Sequence, residues 1–381
     1  MFTFTEEQLM IRDTLREFAE AEVAPKAAWL DETGSFPHEA VEGLTQMGIM
    51  GLNVPEEYGG SGMDDEIVKV LCVEELAKVC ASTACVVDVQ FLSSDIILRK
   101  GTEAQKKKYL SLAAQGKIGG FALTEPGAGS DAGAARTTAV KDGDCYVING
   151  SKCFISNLGQ DAGYHFVVIA LTDPSKGTKG MTAFLVDRDM PGVSVGKSER
   201  KMGLKGSSVS ELILSDVRVP EENVLGKLGE GFKIAMQGLD GGRIGIAAQS
   251  VGLAEGALAE AVKYANSRVQ FGKPIAANQG LQWYFAEMAT RVEAARLLTL
   301  RAADARQKGE PCSKLAAMAK LYASETACYV CDLALQVHGG YGYMKDFPIE
   351  RMYRDARILR IYEGTSEVQK MVISREVLSG R

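Results

Sequence analysis

The sequence predicts a mainly α-helical protein with a β-domain in its middle. Apolar residues recur at helical spacing up to about residue 118. Short β-rich segments separated by turns then occupy about 119–228, and the helical pattern returns over 229–381. We therefore expect three domains, 1–118, 119–228 and 229–381. This order is not the alternation of strand and helix that a Rossmann fold requires.

Helix signals open the first region. Thr5 is a candidate N-cap, because Gln8 follows three residues later and completes a capping box. A loop rich in glycine and proline is expected over 55–62. Apolar residues at helical spacing predict a further helix over 68–79.

The middle region reads as several short strands. The β-rich segments are 120–123, 145–148, 165–171, 181–186 and 211–214. Turn residues at 141–144 and 148–150 separate some of them, and 217–220 closes the region. Strands at this spacing predict a small β-barrel or sandwich. After it, alanine-rich stretches at 244–266 and 283–307 favour long helices by propensity.

The bulk composition excludes several classes of protein. The 381 residues are 46% hydrophobic and carry a net charge of -6, which is unlike a nucleic-acid binder. We expect no membrane span, no leader and a cytoplasmic location. The eight cysteines are predicted to be reduced thiols, and Cys328 with Cys331 is read as structural, with a redox or metal role as the alternative. The three histidines are far apart, so no metal site is predicted.

The residue that best suits catalysis is Glu363. It lies in a short break between two helix-like segments, after an apolar pair and before a glycine. A carboxylate that loses water in such a setting becomes a stronger base. The alternative is a surface carboxylate paired with Arg360.

Four further segments have the composition of ligand-binding loops. They are 121–131, 149–157, 268–274 and 336–343. Glycines allow close backbone approach to a ligand, and Phe154 with Ser156 would share one face of a strand. Taken singly, each has a plain alternative: a strand-to-turn connection, core packing, a helix end or a helix C-cap.

Together and in this order, these segments resemble the acyl-CoA dehydrogenase family over essentially the whole chain. One family signature comprises Ala122, Leu123, Thr124, Glu125, Gly129, Ser130, Asp131 and Ala134. A second comprises Gln336, Gly339, Gly340, Gly342, Tyr343, Asp346, Arg351 and Asp355, and a third is Tyr362, Glu363, Gly364 and Thr365. The resemblance implies an N-terminal helical domain, a middle β-barrel domain and a C-terminal four-helix bundle.

The resemblance also implies FAD as the cofactor. The positions that match flavin contacts are Phe121, Leu123, Thr124, Ser130, Phe154 and Ser156, with Ser156 near flavin N5. Arg268, Gln270 and Phe271 match residues that reach the FAD of a neighbouring subunit, and Gln336, Gly339 and Gly340 match the segment that holds its ADP half. Thr365 and Glu367 match further FAD contacts. A shared site implies a homo-oligomer, and tetramers are usual in the family.

The activity implied is α,β-dehydrogenation of an acyl-CoA. Glu363 would take the α-proton while the β-hydrogen leaves as hydride to flavin N5, and the electrons would pass to electron-transferring flavoprotein. Some family members place the base just before an arginine, but here Gly242 precedes Arg243. The positions that match substrate contacts are Ser130, Asp240, Arg243, Tyr362 and Gly364.

The acyl group is less well defined. The run after Gly242 resembles butyryl-type enzymes, but the pocket segment 86–97 contains Asp88 and Asp95. Either one facing the pocket would suit a cyclic or polar acyl group, and the alternative is that both face solvent or cap a helix. No arginine precedes Arg99 in that segment, which argues against a glutaryl-type dicarboxylate. An enoyl-CoA reductase, even in an electron-bifurcating complex, an acyl-CoA oxidase and a non-catalytic flavin- or partner-binding relative are the rival readings.

Overall fold

The computed structural model describes residues 3–159 and 162–380, so residues 1–2, 160–161 and 381 of the predicted domains lie outside the described residues. Six helices form the described N-terminal region: α1 (Glu6–Phe18), α2 (Ala27–Thr33), α3 (His38–Gln46), α4 (Glu66–Val79), α5 (Ala81–Lys100) and α6 (Glu103–Ala114). The predicted capping box is confirmed: the backbone N–H of Gln8 donates to Thr5 Oγ1 over 3.1 Å, and Gln8 Oε1 accepts from the Thr5 N–H over 3.0 Å.

Helix α5 runs through the interior of the protein. By length and composition it could cross a membrane, although the sequence analysis expected no such segment. However, 89% of its most apolar window is buried inside the protein, which is typical of a core helix. It carries both Asp88 and Asp95 into the interior.

The middle region forms one mixed sheet. Its strands are β1 (Ile118–Ala122), β2 (Thr138–Asp142), β3 (Cys145–Ser156), β4 (Gly163–Leu171), β5 (Met181–Asp187), β6 (Val193–Ser198), β7 (Val209–Pro220) and β8 (Val224–Leu225). Their order is β6-β7-β3-β2-β4-β5-β8, with β1 parallel to β4. The predicted β-domain is therefore confirmed.

One predicted turn is wrong. Residues 148–150 lie within β3, where a bulge shifts the register between Ile148, which pairs with Val217, and Gly150, which pairs with Leu214. A Cβ on Gly150 would lie 2.5 Å from Thr137 Oγ1, so glycine lets the strand bend past this threonine. Turn chemistry and bulge chemistry both favour glycine, and the sequence did not distinguish them.

The C-terminal region is helical, as predicted. A small β-ribbon (β9, Val269–Gln270; β10, Lys273–Pro274) follows the first of its helices. The helices are α7 (Gly231–Ser267), α8 (Gln279–Gln307), α9 (Ser313–His338), α10 (Ile349–Ala356) and α11 (Ser366–Leu378). Helix α7 packs on α9, α8 and α4, while α11 packs on α9. Fold class is confirmed, whereas the exact domain boundaries stay a prediction.

Candidate active site

Glu363 lies in the loop between a 3₁₀ turn that ends at Arg360 and helix α11. Both Glu363 (φ 54°) and Gly364 (φ 92°) have left-handed backbones, which is unfavourable for a glutamate. Two buried side chains hold this loop. Gln369 Nε2 donates to the carbonyls of Glu363 (3.1 Å) and Gly364 (2.9 Å), and Lys320 Nζ donates to the Gly364 carbonyl over 2.7 Å. The loop is thus fixed with its carboxylate directed inward.

The Glu363 carboxylate is desolvated and free to react. The residue as a whole is half-buried, but its Oε2 atom is out of contact with solvent and has no hydrogen-bond partner in the described part of the chain. Burial raises the pKa of Glu363 to about 7, although the nearby cations Arg243 and Lys320 oppose the shift. Burial also lowers the pKa of Lys320 to about 8. Arg360 pairs instead with Glu325 over 2.8 Å, so the expected alternative for Glu363 is wrong.

A set of glycines on α7 makes room beside this carboxylate. We call it the glycine face, and it comprises Gly238, Gly241, Gly242 and Gly245. A methyl group on Gly242 would lie 2.7 Å from Glu363 Oε2, and one on Gly245 would overlap the Asp88 carboxyl group. Any side chain here would therefore occupy the space next to the base. The face borders a cavity of about 30 Å³.

The two aspartates of α5 both line this cavity, with 7% of Asp88 and 5% of Asp95 exposed. The alternative that both face solvent or cap a helix is therefore wrong. Asp95 Oδ1 accepts a hydrogen bond from Arg99 Nε over 2.8 Å, and the Asp95 carboxylate also forms an ion pair with Arg306. Burial opposes its ionisation, but Lys69, Arg306 and Arg99 outweigh this and lower the pKa of Asp95.

An arginine does line the cavity, which the sequence analysis missed. It is Arg306 from α8, too distant in sequence to have been assigned to the pocket. It pairs with Asp95 and with Glu66 (3.2 Å), so its charge is already neutralised by carboxylates of the protein. Three carboxylates lie close enough together to hold a metal ion, namely those of Asp64, Glu66 and Asp95. Because Lys69, Arg99 and Arg306 already pair with them, we assign them to ion pairing.

The predicted substrate contacts flank the base. Arg243 is 6% exposed, donates from Nη1 to Asp240 over 2.7 Å, and leaves Nε without a partner among the described residues. Asp240 also accepts from Ser313. The Tyr362 hydroxyl donates to Gln249. Arg243 and Asp240 therefore form a charged pair on α7, the helix that carries the glycine face, whereas Ser130 is exposed on the β-domain.

The predicted flavin residues of the β-domain surround one loop and one strand. The Cys153 N–H donates to the Thr124 carbonyl over 2.9 Å, which ties the 123–137 loop to β3. Phe154 follows at a second bulge with φ 59°, and 68% of it is exposed. Phe121, Thr124 and Ser156 are half-buried, and Leu123 is buried.

A buried ion pair that the sequence analysis missed supports this loop. Lys152 is 0% exposed, and its Nζ contacts Glu125 Oε1 over 2.7 Å and the Leu123 carbonyl over 3.1 Å. The Glu125 carboxylate also accepts the backbone N–H groups of Arg136 (2.6 Å) and Thr137 (3.0 Å). The sequence signal for this ion pair was a lysine at an inward-facing position of a strand. The corresponding signal under the Glu363 loop was Lys320, which lies among the buried alanines of α9.

A second group of predicted residues forms an open groove elsewhere on the chain. We call it the ribbon groove; its volume is about 510 Å³, and it is lined by Tyr264, Arg268, Gln270, Ile275, Val337, His338, Gly339, Gly340, Tyr341 and Met344. Arg268 lies 5.2 Å over the Tyr341 ring. Phe271 projects nearby with 96% of its surface exposed, and Gln336 is exposed just before the groove on α9.

The last two predicted cofactor residues belong to the Glu363 loop. Thr365 is the N-cap of α11, and its hydroxyl accepts the Val368 N–H over 3.3 Å. Glu367 is exposed in the first turn of α11. The structure thus divides the predicted residues among the Glu363 loop, the β-domain loop and the ribbon groove.

These surfaces suit a flavin nucleotide. The hydroxyls of Thr124, Ser130 and Ser156 have no hydrogen bond within residues 3–159 and 162–380, and Phe154 offers an exposed ring. Positions Gly127, Gly129, Gly339 and Gly340 have open space where a Cβ would stand. Free donors, an aromatic face and bare backbone are what a planar ring system with a diphosphate requires.

Comparison with known proteins identifies the family. Residues 5–117, 120–217 and 229–378 match the N-terminal, middle and C-terminal domains of acyl-CoA dehydrogenases, respectively. The acryloyl-CoA reductase (NADH) of Anaerotignum propionicum is 52% identical over 99% of this chain and 96% of its own length. A subunit of the caffeyl-CoA reductase-Etf complex of Acetobacterium woodii is 48% identical over 98% of this chain and 99% of its own. The structure of butyryl-CoA dehydrogenase from Megasphaera elsdenii superposes with a TM-score of 0.96 at 46% identity, covering 99% of this chain and 100% of that one.

Proposed function

The chain belongs to the acyl-CoA dehydrogenase family, and on that basis we propose that it interconverts a short-chain acyl-CoA and its trans-2-enoyl-CoA. Glu363 is the proposed base and FAD the proposed cofactor. One observation carries the assignment of the base. The Glu363 carboxylate has a desolvated oxygen with no partner in the described part of the chain, and it lies against Gly242, in the space that a side chain at that position would need.

In this proposal the ionised Glu363 removes the α-proton and keeps it on its carboxyl group. A pKa of about 7 suits this role, because the group is a stronger base than a solvated glutamate yet still ionises near neutral pH. The backbone N–H of Glu363 makes no hydrogen bond with another described residue, so it is free to donate to the thioester carbonyl. FAD, when bound, supplies at N5 the acceptor for the β-hydride.

The residues proposed to hold FAD come from two surfaces. Thr124, Ser130, Phe154 and Ser156 of the β-domain are assigned to the flavin ring, with Phe121, Leu123, Thr365 and Glu367 at its borders. The ribbon groove is assigned to the FAD of a second copy, through Arg268, Gln270, Phe271, Gln336, Gly339 and Gly340. The open state of the groove and the 96% exposure of Phe271 support this assignment. We therefore propose a homo-oligomer, with a tetramer as the expected state.

A short acyl group fits the cavity best. A water-sized group needs about 10–15 Å³ of probe-occupied volume, so about 30 Å³ holds roughly two such groups beyond the α- and β-carbons. A butyryl chain has one carbon, C4, beyond the β-carbon, so it fits this cavity with room for about one further heavy atom. The similarity to butyryl-CoA dehydrogenase supports the same length. The alternative is a cyclic or otherwise unusual acyl group, because the polar Asp88 side chain lines the cavity.

The physiological direction has two candidates. The first is dehydrogenation with electron-transferring flavoprotein as acceptor, in the cytoplasm. The second is enoyl-CoA reduction, which the similarity to two reductases supports, one of them a subunit of a complex with Etf. A base with a pKa of about 7 suits both, because near neutral pH it is half ionised and can accept or donate the proton.

The test is an anaerobic titration of the purified flavoprotein. We expect butyryl-CoA to bleach the flavin and crotonyl-CoA to restore the colour of the reduced enzyme. Electron-transferring flavoprotein should then accept the electrons from the bleached enzyme. Rapid oxygen uptake with hydrogen peroxide release would identify an oxidase instead, and a flavoprotein that neither ligand affects would identify a non-catalytic relative.

A further inference from the structure

Asp88 is a buried carboxyl group without a protein partner. It lies on α5, it is 7% exposed, and it lines the cavity beside Glu363. It makes no hydrogen bond or ion pair with any residue that the structure describes. Seven residues further along the same helix, Asp95 is almost equally buried but receives three cations. The two buried aspartates of α5 therefore differ in their partners: Asp95 is paired with cations, whereas Asp88 has no partner among the described residues.

A buried polar group without a partner is costly, and a protein retains one mainly where function needs it. Burial raises the pKa of Asp88 well above its usual value, and the charge of Glu363 raises it further. The neutral acid can both donate and accept a hydrogen bond. The cations that face the same cavity, Lys69 and Arg306, are already paired with Glu66 and Asp95. The missing partner of Asp88 must come from the cavity.

The spacing of the glycines on α7 gives the distance between the Asp88 and Glu363 carboxyl groups along the pocket. Gly242 faces Glu363 and Gly245 faces Asp88, and these glycines are one helical turn apart. Three residues of α-helix rise about 4.5 Å, so the Asp88 carboxyl lies about that far beyond the Glu363 carboxyl along the pocket. If the α-carbon is beside Glu363, a substituent on C4 reaches Asp88. The cavity of about 30 Å³ admits one carbon and one oxygen there.

We propose, resting on the function proposed above, that Asp88 is a specificity-determining residue whose carboxyl group hydrogen-bonds a hydroxyl group on C4 of the acyl chain. The substrate class is then a 4-hydroxyacyl-CoA and its 4-hydroxy-2-enoyl counterpart. A hydroxyl group complements Asp88 because it can donate to a carboxyl oxygen, and it adds no charge to a cavity whose cations are already paired.

The experiment compares crotonyl-CoA with trans-4-hydroxycrotonyl-CoA, which differ only by the hydroxyl on C4. The photoreduced holoenzyme is mixed anaerobically with each, and the return of flavin absorbance gives the second-order rate constant. The measured quantity is the ratio of the two rate constants, hydroxylated over unsubstituted. We expect Asp88→Leu to lower this ratio about 10- to 100-fold, because the hydroxyl loses its partner in a dry site. Leucine has the branching of aspartate but larger methyl groups, so Asp88→Ala, which removes the carboxyl group without adding bulk, is measured beside it and should also lower the ratio.

Two further variants separate polarity from shape and from helix damage. Asp88→Asn keeps a donor and an acceptor, so we expect its ratio to stay within about 3-fold of the wild type. Ser94→Ala is the matched control, because Ser94 is 3% exposed on the same helix and does not line the cavity. Its ratio should be that of the wild type.

A readout without substrate tests the burial argument directly. In the ligand-free holoenzyme Asp88→Leu should melt no lower than the wild type, since an unsatisfied polar group is replaced by an apolar one. A clear fall in melting temperature of both Asp88→Leu and Asp88→Ala would mean that Asp88 has a structural partner, which would overturn the proposal. Should Asp88→Leu not fold because its methyl groups overfill the cavity, Asp88→Ala replaces it in both measurements.

The other outcomes are also decisive. A wild-type ratio that Asp88→Leu leaves unchanged overturns the role of Asp88, while reaction with crotonyl-CoA still upholds the proposed function. If neither thioester reoxidises the wild-type flavin, the proposed function itself fails, and the inference fails with it.

Discussion

The Glu363 pocket and the ribbon groove differ in what a single chain supplies. In the pocket the loop, the helix and the surrounding ion pairs all come from one chain, and the space left is about 30 Å³. The groove is about 510 Å³, open, and bordered by the almost fully exposed Phe271. Proton removal requires fixed geometry at the base, and the hydrogen bonds that hold the Glu363 loop provide it. On the proposal that the groove binds the FAD of a second copy, it stays open until that copy covers it.

The sharpest test of this contrast is the base itself. Glu363→Gln should lower the rate of flavin bleaching by butyryl-CoA about 10²- to 10⁴-fold, because glutamine keeps the shape but accepts no proton. Stopped-flow absorbance on the flavin-loaded variant measures it. Arg268→Ala, assayed per bound flavin, is the control and should bleach at nearly the wild-type rate. Bleaching of Glu363→Gln within 3-fold of the wild type would remove Glu363 from the mechanism.

The next effect is on stability. Asp95→Leu removes one member of the buried ionic cluster and leaves the Arg306 charge undercompensated, which typically costs about 3–5 kcal/mol. Arg268→Ala removes a charge from the open groove and should change the free energy of unfolding by less than about 0.5 kcal/mol. Urea unfolding of both variants at saturating FAD makes the comparison. Equal losses would mean that the groove is as fixed as the pocket.

The groove should instead control cofactor retention. Arg268→Ala is expected to weaken FAD binding about 10- to 100-fold, because a charge-assisted hydrogen bond contributes about 1.5–3 kcal/mol. The flavin content after gel filtration and its recovery with added FAD measure this.

Co-assembly shows whether the groove serves a second copy. In a mixed assembly of Glu363→Gln and Arg268→Ala chains, some sites combine an intact Glu363 with an intact groove from the other chain. At an FAD concentration low enough to leave Arg268→Ala chains alone largely flavin-free, activity above that of either variant alone is therefore expected. Simple averaging of the two activities would show that each groove serves its own pocket.

The smallest effect is on pH dependence. A pKa of about 7 for Glu363 predicts that flavin bleaching by butyryl-CoA rises with pH through about 7, since the base must be ionised. Reduction of crotonyl-CoA should fall over the same range, since the acid must be protonated. Lys320 opposes the raised pKa, so Lys320→Met should move both midpoints up by about one unit. Midpoints that stay in place would assign the titration to another group.

The sequence predicted what depends on local pattern. The three-region order, the Thr5 cap and the glycine-flanked position of Glu363 all follow from neighbours in the chain. It missed contacts made between distant segments, such as Arg306 on Asp95 or Lys320 under the Glu363 loop. Composition also could not distinguish a turn from a bulge at Gly150, nor a paired aspartate from an unpaired one. These depend on which side chains the fold brings opposite each other.

The glycine face of α7 has a consequence for the ligand-free protein. Glycine in a helix interior costs about 1 kcal/mol relative to alanine, so four of them weaken α7 by roughly 4 kcal/mol. Side chains of other elements already occupy the positions that four α7 side chains would have taken, and these are Ile96, Arg306, Glu363 and Asp88. An acyl chain bound beside this face would add apolar contacts to α7 that the ligand-free protein lacks. On the proposed function, binding of the acyl-CoA should therefore raise the melting temperature and slow the hydrogen exchange of the α7 amides. The rigidity of α7 would then report whether the site is occupied.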